Sequence, residues 1–219
     1  MRFAVIVSFG LAVTALSVAN SVAADAAAGE GVFNASNCAE CHYTQGPARE
    51  KTISDQLAKQ GPELWYAGSK FQQPWLEQWL QDPQPIRIMK YNSVTEKNPG
   101  EHPNLAADDA TSVTEFLMSL TSGDVEAGII KPKKSPKGKL IFVKKMPCSG
   151  CHQFPGKKFK GGNSGPPLVG AATRLNPDWV YAYLKNMDAF KPVRMMPNFG
   201  GILSEKDMKS VAAFVATFK

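Results

Sequence analysis

Long apolar runs, histidine and cysteine are all scarce in this chain. Its only long apolar run lies between Phe3 and Val18, and no later segment is a transmembrane candidate. Three histidines and four cysteines occur among 219 residues. The strict alternation of apolar and polar residues that is typical of strands is missing too, and apolar residues recur at helical spacing instead. These shortages exclude a protein with several membrane spans and favour an all-α fold.

The N-terminal run is typical of a secretory signal. Met1-Arg2 precedes it and the small residues of Asn20 to Asp25 follow it. This pattern predicts a signal peptide over residues 1–24, cleaved near Ala23 or Ala24, and therefore export. An uncleaved anchor is the alternative, although the run is shorter than the about 20 residues that a membrane span needs.

All four cysteines fall into two copies of one short motif, Cys38-Ala39-Glu40-Cys41-His42 and Cys148-Ser149-Gly150-Cys151-His152. C-x-x-C-H is the attachment signature of c-type haem, in which two thiols form thioethers with the porphyrin and the adjacent His binds iron. A disulfide, a redox pair or half of a zinc site is the alternative for a single C-x-x-C, but none of these requires the trailing His. The sequence predicts two covalent haems, attached through Cys38, Cys41, Cys148 and Cys151, with His42 and His152 as proximal ligands.

The two motifs lie in an internal duplication. Gly61-Pro62-Glu63-Leu64 matches Gly165-Pro166-Pro167-Leu168. A closing helix then recurs at a constant offset of 98, beginning with Leu105 in the first copy and Leu203 in the second. The duplication predicts two small helical domains, residues 25–123 and 138–219. Residues 124–137 would be an exposed linker, because prolines and like charges oppose regular structure there.

The shortage of histidine limits the choice of sixth ligand to iron. Apart from the two proximal residues only His102 exists, so at most one haem is bis-His, and methionine is the other common axial ligand. Pro-x-Arg-x-Met occurs at residues 85–89 and 192–196, which predicts Met89 and Met196 as ligands. Met195 lies beside Met196, but Met196 and not Met195 matches Met89 when the two segments are aligned. His102-Pro103 is interpreted as a surface turn.

Two arginines, Arg87 and Arg194, lie two residues before these methionines. A guanidinium suits a fixed carboxylate, so each is a candidate to bind a haem propionate. The alternative is a solvated surface arginine.

The net charge of +6 conceals an asymmetry. Residues 25–126 hold seven Lys or Arg and 15 Asp or Glu, a net charge of −8, whereas residues 127–219 hold 17 and four, a net charge of +13. The opposite charges attract the halves to each other, or give each haem its own partner: a basic protein at the first domain and an acidic protein at the second. Lysine-rich stretches at 131–145 and 157–160 suit an acidic partner or a peripheral contact with an anionic membrane. An exported haem protein is not expected to meet nucleic acid.

In these motifs and their order, each half resembles a class I cytochrome c, and the whole resembles a tandem dihaem cytochrome c. The resemblance implies that the carbonyls of Pro62 and Pro166 accept the ring N–H of His42 and His152. Met89 is followed by Lys90 rather than by the Pro that the family usually has. The segment between His42 and Gly61 is also longer than its counterpart and is a candidate docking surface.

The resulting hypothesis is a periplasmic electron carrier with two His/Met haems and no catalytic residues of its own. Two alternatives stay open. One is a dihaem peroxidase-like enzyme, which needs an open iron and an acid–base group. The other is a tightly bound cytochrome subunit of a dehydrogenase or oxidase. The oligomeric state is not predicted.

Overall fold

The computed structural model of the chain describes residues 14–156 and 160–219. Ten α-helices lie in these ranges: α1 Thr14–Ala35, α2 Ile53–Ala58, α3 Ala67–Lys70, α4 Gln73–Gln81, α5 Ala107–Ser119, α6 Pro136–Leu140, α7 Ala171–Arg174, α8 Pro177–Lys185, α9 Met187–Phe190 and α10 Glu205–Val215. A π-helical turn, Ile141–Lys145, continues α6. Within these ranges the only extended pairings are three isolated bridges, so the predicted all-α fold is confirmed.

Part of the predicted signal peptide, residues 1–13, lies outside the described residues. Within the described residues, helix α1 covers Thr14–Ala35 and thus includes the predicted cleavage region. Over residues 14–156 and 160–219, no helix combines the length and the apolar character that a membrane crossing needs.

Each half is built on a close crossing of its first and last helices. A Cβ on Gly29 of α1 would lie 1.9 Å from the Ser112 carbonyl oxygen of α5. A Cβ on Gly138 of α6 would lie 2.1 Å from the Ser210 carbonyl oxygen of α10. Ser112 and Ser210 are related by the offset of 98 seen in the sequence. The two crossings are therefore equivalent, and each needs a glycine at the point where the backbones meet.

The two closing helices begin differently. The Ser204 side chain accepts a hydrogen bond from the Asp207 backbone N–H (3.2 Å) at the start of α10. Helix α5 follows Ala106, which has no side-chain acceptor, and relies on Asp108 and Asp109 in its first turn.

The halves meet through equivalent segments. The Gln72 N–H donates to the Arg174 carbonyl (3.0 Å), and the Asn176 N–H donates to the Lys70 carbonyl (2.8 Å). Lys70 and Gln72 of the first half correspond to Arg174 and Asn176 of the second, at a constant offset of 104. Between them, Phe71 forms a bridge with its own counterpart, Leu175. The contact thus has local twofold pseudo-symmetry, which brings the same face of each half to the other.

The connector between the halves has exposed lysines but an anchored backbone. The Asp178 carboxylate accepts the N–H groups of Gly128 (2.7 Å) and Ile130 (2.6 Å), and Ile130 is buried. The Lys133 N–H donates to the Ala213 carbonyl (3.0 Å). Helix α6 begins at Pro136, inside the predicted linker, because proline is well tolerated at the first helical position after the Ser135 cap.

Candidate haem sites

Each C-x-x-C-H motif forms a single tight turn. The His42 N–H donates to the Cys38 carbonyl (3.0 Å), and the His152 N–H donates to the Cys148 carbonyl (2.9 Å). None of the four cysteines takes part in a disulfide. Each turn fixes two thiols and one imidazole on a short stretch of backbone.

The imidazoles of both motifs are oriented in the same way. His42 Nδ1 lies 2.7 Å from the Pro62 carbonyl oxygen, and His152 Nδ1 lies 2.7 Å from the Pro166 carbonyl oxygen. Since a carbonyl oxygen only accepts, each Nδ1 carries the proton and each Nε2 keeps its lone pair for a metal. Burial lowers the pKa of both histidines, and this favours the neutral ring that binds iron.

The glycine before each of these prolines makes room for the ring. A Cβ on Gly61 would lie 2.7 Å from His42 Cε1, and a Cβ on Gly165 would lie 2.6 Å from His152 Cε1. Any other residue would push the imidazole away from the carbonyl that orients it. The Gly-Pro dipeptide therefore supplies both the space and the acceptor.

The first site holds a second imidazole. The rings of His42 and His102 have centroids 6.1 Å apart and an interplanar angle of 45°. His102 also packs on Trp79, with ring centroids 4.6 Å apart. The interpretation of His102 as a surface turn residue overlooked this pairing, although the side chain is exposed as expected.

The two methionines of the repeat have different surroundings. Met196 is half-buried and packs against the core, whereas its neighbour Met195 is 69% exposed. Met89 is half-buried in a short hairpin, where it pairs with Lys97 and where the Lys90 N–H donates to the Glu96 carbonyl (2.9 Å). The second half has no counterpart of this hairpin in its sequence, so the two copies diverge between their methionine and their last helix.

The two arginines of the repeat also differ. Arg87 donates to the Ser164 carbonyl of the other half (3.2 Å), and burial lowers its pKa. Arg194 pairs with Asp188 (2.5 Å) and donates to the carbonyls of Lys191 and Pro192. The Nε atoms of both arginines are buried without a hydrogen-bond partner within the described part of the chain. Each arginine can still donate to an anion.

A cluster of cations gathers where the halves meet. Burial, together with the nearby charges of Arg174, Lys191 and Arg87, lowers the pKa of Lys70 to about 7. Burial also lowers the pKa of Arg174 to about 10 and of Lys191 to about 8. Uncompensated charge of this kind is costly unless anions accompany it. Covalent haem would bring such anions as its propionates, so the residues present fit the group that the motifs imply.

Sequence reasoning missed three members of this cluster, Lys70, Arg174 and Lys191. A signal was available for two of them, because Lys70 and Arg174 occupy the same position in the two copies.

A buried ion network lies in the longer segment that follows His42. The Lys59 ammonium bridges Glu50 (2.5 Å) and Glu63 (2.7 Å), and all three side chains are at most 8% exposed. The Glu63 carboxylate also accepts the Trp65 indole N–H (2.8 Å). Helix α2 of this segment leaves Ile53 and Leu57 exposed. The segment is therefore a folded element that exposes two large apolar side chains.

The fold and the paired turns define a helical protein built to carry covalent haem in two similar units. A family model described as cytochrome c matches residues 26–121, and a second, described as cytochrome C oxidase, cbb3-type, subunit III, matches residues 135–215. Searches of curated proteins and of solved structures gave no significant match.

The chain belongs to the class I cytochrome c family and has two haem-binding domains in tandem. Cytochrome c domains imply covalently bound haem c and a role in electron transfer. This agrees with the geometry of both sites, in which an imidazole held at Nδ1 by a proline carbonyl follows two thiols.

Proposed function

We propose that the chain is an exported electron carrier with two covalent haems, one per domain. The observation that carries this proposal is the repetition of the whole site: two thiols, an imidazole and a proline carbonyl 2.7 Å from its Nδ1 occur in both domains. When bound, each haem iron supplies one-electron redox chemistry. The protein's own part is to hold the proximal nitrogen, occupy the sixth position and exclude water.

Haem counting tests this proposal directly. Cys38, Cys41, Cys148 and Cys151 are proposed to form the thioethers, and His42 and His152 to bind iron. The purified protein should contain two haems per chain by pyridine haemochrome assay. The double variants Cys38→Ser with Cys41→Ser, and Cys148→Ser with Cys151→Ser, should each retain one. A single haem in the unmodified protein would overturn the proposal.

Met196 is proposed as the sixth ligand of the second haem. It belongs to the loop before α10, packs against the core, and is followed by Pro197, which restricts the loop backbone. At the first haem, Met89 is the sixth ligand that the repeat predicts, and His102 is a second candidate.

The cation cluster supports a role for the domain interface. Lys70, Arg174 and Lys191 are proposed to face haem propionates there together with Arg87, for which the sequence predicts the same role. Arg194 remains a propionate candidate through its buried Nε, while its NH1 is engaged by Asp188 and backbone carbonyls. Propionates on both sides of one interface would bring the haem edges of the two domains close together.

Partners are proposed from charge. A groove between the connector and α10 is lined by five lysines: Lys131, Lys133, Lys137, Lys206 and Lys209. It suits an acidic protein or an anionic membrane surface, while the acidic first domain suits a basic protein. Lys157 and Lys158 of the second lysine-rich stretch lie outside the described residues.

A second candidate function is that of a subunit held in a larger oxidase or dehydrogenase. The match of residues 135–215 to a model of an oxidase subunit favours it. Size-exclusion chromatography of native extract separates the two. Elution as a small protein supports the free carrier, and elution in a large complex supports the subunit.

A further inference from the structure

The first haem site contains a histidine that the repeat does not account for. We propose that His102 is the sixth ligand of the first haem, which is then bis-His, while the second haem is His/Met. This inference rests on the proposed function, since it assumes a haem at His42, and it replaces Met89 in the role that the repeat gave it.

The spacing of the two rings is the first reason. Two imidazoles on opposite sides of one iron, each with a metal–nitrogen bond of about 2 Å, have ring centroids about 6 Å apart. The centroids of His42 and His102 are 6.1 Å apart. The chain therefore holds the two rings at the separation that a shared iron requires.

The state of the His102 ring is the second reason. Its Nδ1 lies 2.8 Å from the Pro103 carbonyl oxygen, and this contact places the proton on Nδ1 and leaves the Nε2 lone pair uncommitted. Metal-binding histidines almost always donate their other ring N–H in this way. All three histidines of the chain thus share one arrangement, Nδ1 to a proline carbonyl, and two of them follow haem-attachment cysteines.

The support under His102 is the third reason. The ring packs on Trp79, whose indole N–H is fixed by the Gln84 carbonyl (2.8 Å). Three residues further on, the Leu105 N–H donates to the Leu80 carbonyl (2.9 Å) and ties this segment to the end of α4. Met89, by contrast, lies 16 residues before Leu105, whereas Met196 lies only seven before the equivalent Leu203. His102 lies three residues before Leu105. By distance along the chain from the closing helix, it is therefore a better match to Met196 than Met89 is.

Unequal ligands would give the carrier a direction. A thioether raises the reduction potential of haem iron relative to imidazole. The bis-His first haem would then have the lower potential, and electrons would pass favourably from the acidic domain to the basic domain.

The test is spectroscopic and begins with the unmodified protein. Ferric haem with a methionine ligand has a weak far-red absorption band, which bis-His haem lacks. For a sample with two haems per chain, the inference predicts this band at half the intensity per haem that two His/Met haems would give. Full intensity would overturn it. A haem content of one per chain would instead overturn the proposed function, so the two failures are distinguishable.

Three variants identify the ligands. His102→Ala should leave the far-red band unchanged and make one haem high-spin and able to bind carbon monoxide, whereas Met196→Ala should abolish the band. His102→Met offers a replacement ligand and should raise the potential of one haem. The decisive comparison is Met89→Ala. Loss of half the far-red band in this variant, with no change in His102→Ala, would assign the first haem to Met89 and contradict the inference.

Discussion

At the scale of single residues, the sixth ligand is easier to test in the second domain, because Met196 can be compared with its neighbour Met195. Met196 packs against the core, and Met195 beside it is 69% exposed. Only the first has the internal position that its proposed role as a ligand needs. The pair therefore provides a substitution and its control within one dipeptide.

Met196→His should keep the haem and lower the potential of the second haem, because imidazole stabilises ferric iron better than a thioether does. A shift on the order of 0.1 V is expected, within the about 0.8 V that axial ligands span. Redox titration of the purified protein measures it. Met195→His should leave both potentials unchanged, and an equal effect of the two variants would remove Met196 as a ligand.

Lys59→Met should destabilise the first domain by about 3–5 kcal/mol, because it leaves Glu50 and Glu63 buried without their cation. Chemical denaturation measures the change. The control is Lys90→Met, whose partner Glu96 is 3.4 Å away in an exposed pair, so that a loss of about 0–1 kcal/mol is expected. Equal losses would show that the buried network contributes no more than a surface pair.

The same network has a pH signature. Burial alone lowers the pKa of Lys59, but the hydrogen bonds to Glu50 and Glu63 outweigh it and raise the pKa above the ordinary 10.5. The stabilisation is therefore complete below about pH 10.5 and is lost as the pH rises through the raised pKa. Denaturation curves of the unmodified protein above pH 10 should show this loss, and curves of Lys59→Met should lack it.

At the scale of helices, the crossing of the first and last helix of each domain depends on a glycine. Gly29→Ala places a methyl group against the Ser112 carbonyl, and overpacking of this kind costs about 1–3 kcal/mol. Gly31 lies on the same helix with no atom near its missing Cβ, so Gly31→Ala should stabilise α1 by about 0.5–1 kcal/mol. Chemical denaturation of both variants checks the opposite signs. Two changes of the same sign would contradict the crossing.

Much of this architecture was predictable from the sequence because the duplication is visible in it. The haem turns, the Gly-Pro segments, the Ser204 cap and the equivalent closing helices all follow from local patterns whose physical causes are local. What the sequence did not reveal depends on contacts between distant segments. The ring of His102 meets His42 across 60 positions, and Lys70 meets Arg174 across 104. No spacing rule within one helix or loop reports such contacts.

At the scale of the whole molecule, the charge asymmetry could either hold the two halves together or attract redox partners to the surface. The acidic and basic halves meet through a pseudo-symmetric contact of backbone hydrogen bonds and aromatic rings, including Tyr66 on Trp179, beside the cluster of cations around Lys70. The lysine-lined groove lies elsewhere, along the connector and α10. Charge is therefore available at the surface for docking.

Electron transfer to an acidic redox protein should slow as salt is added, because screening shortens the range of the attraction to about 8 Å at physiological ionic strength. Stopped-flow rates measured across ionic strengths check this. Lys131→Gln with Lys133→Gln should reduce both the rate and its salt dependence, whereas Lys97→Gln in the acidic domain should not. A flat ionic-strength profile would show that charge does not steer docking.

The most direct test of the account is the optical spectrum of the purified protein, oxidised and reduced, with and without carbon monoxide, on a sample of known haem content. The account predicts two haems per chain, both low-spin, and no reaction with carbon monoxide, because each iron has a protein side chain on both faces. A high-spin component that binds carbon monoxide would mean an open iron. That result would contradict the electron carrier and favour a peroxidase-like enzyme.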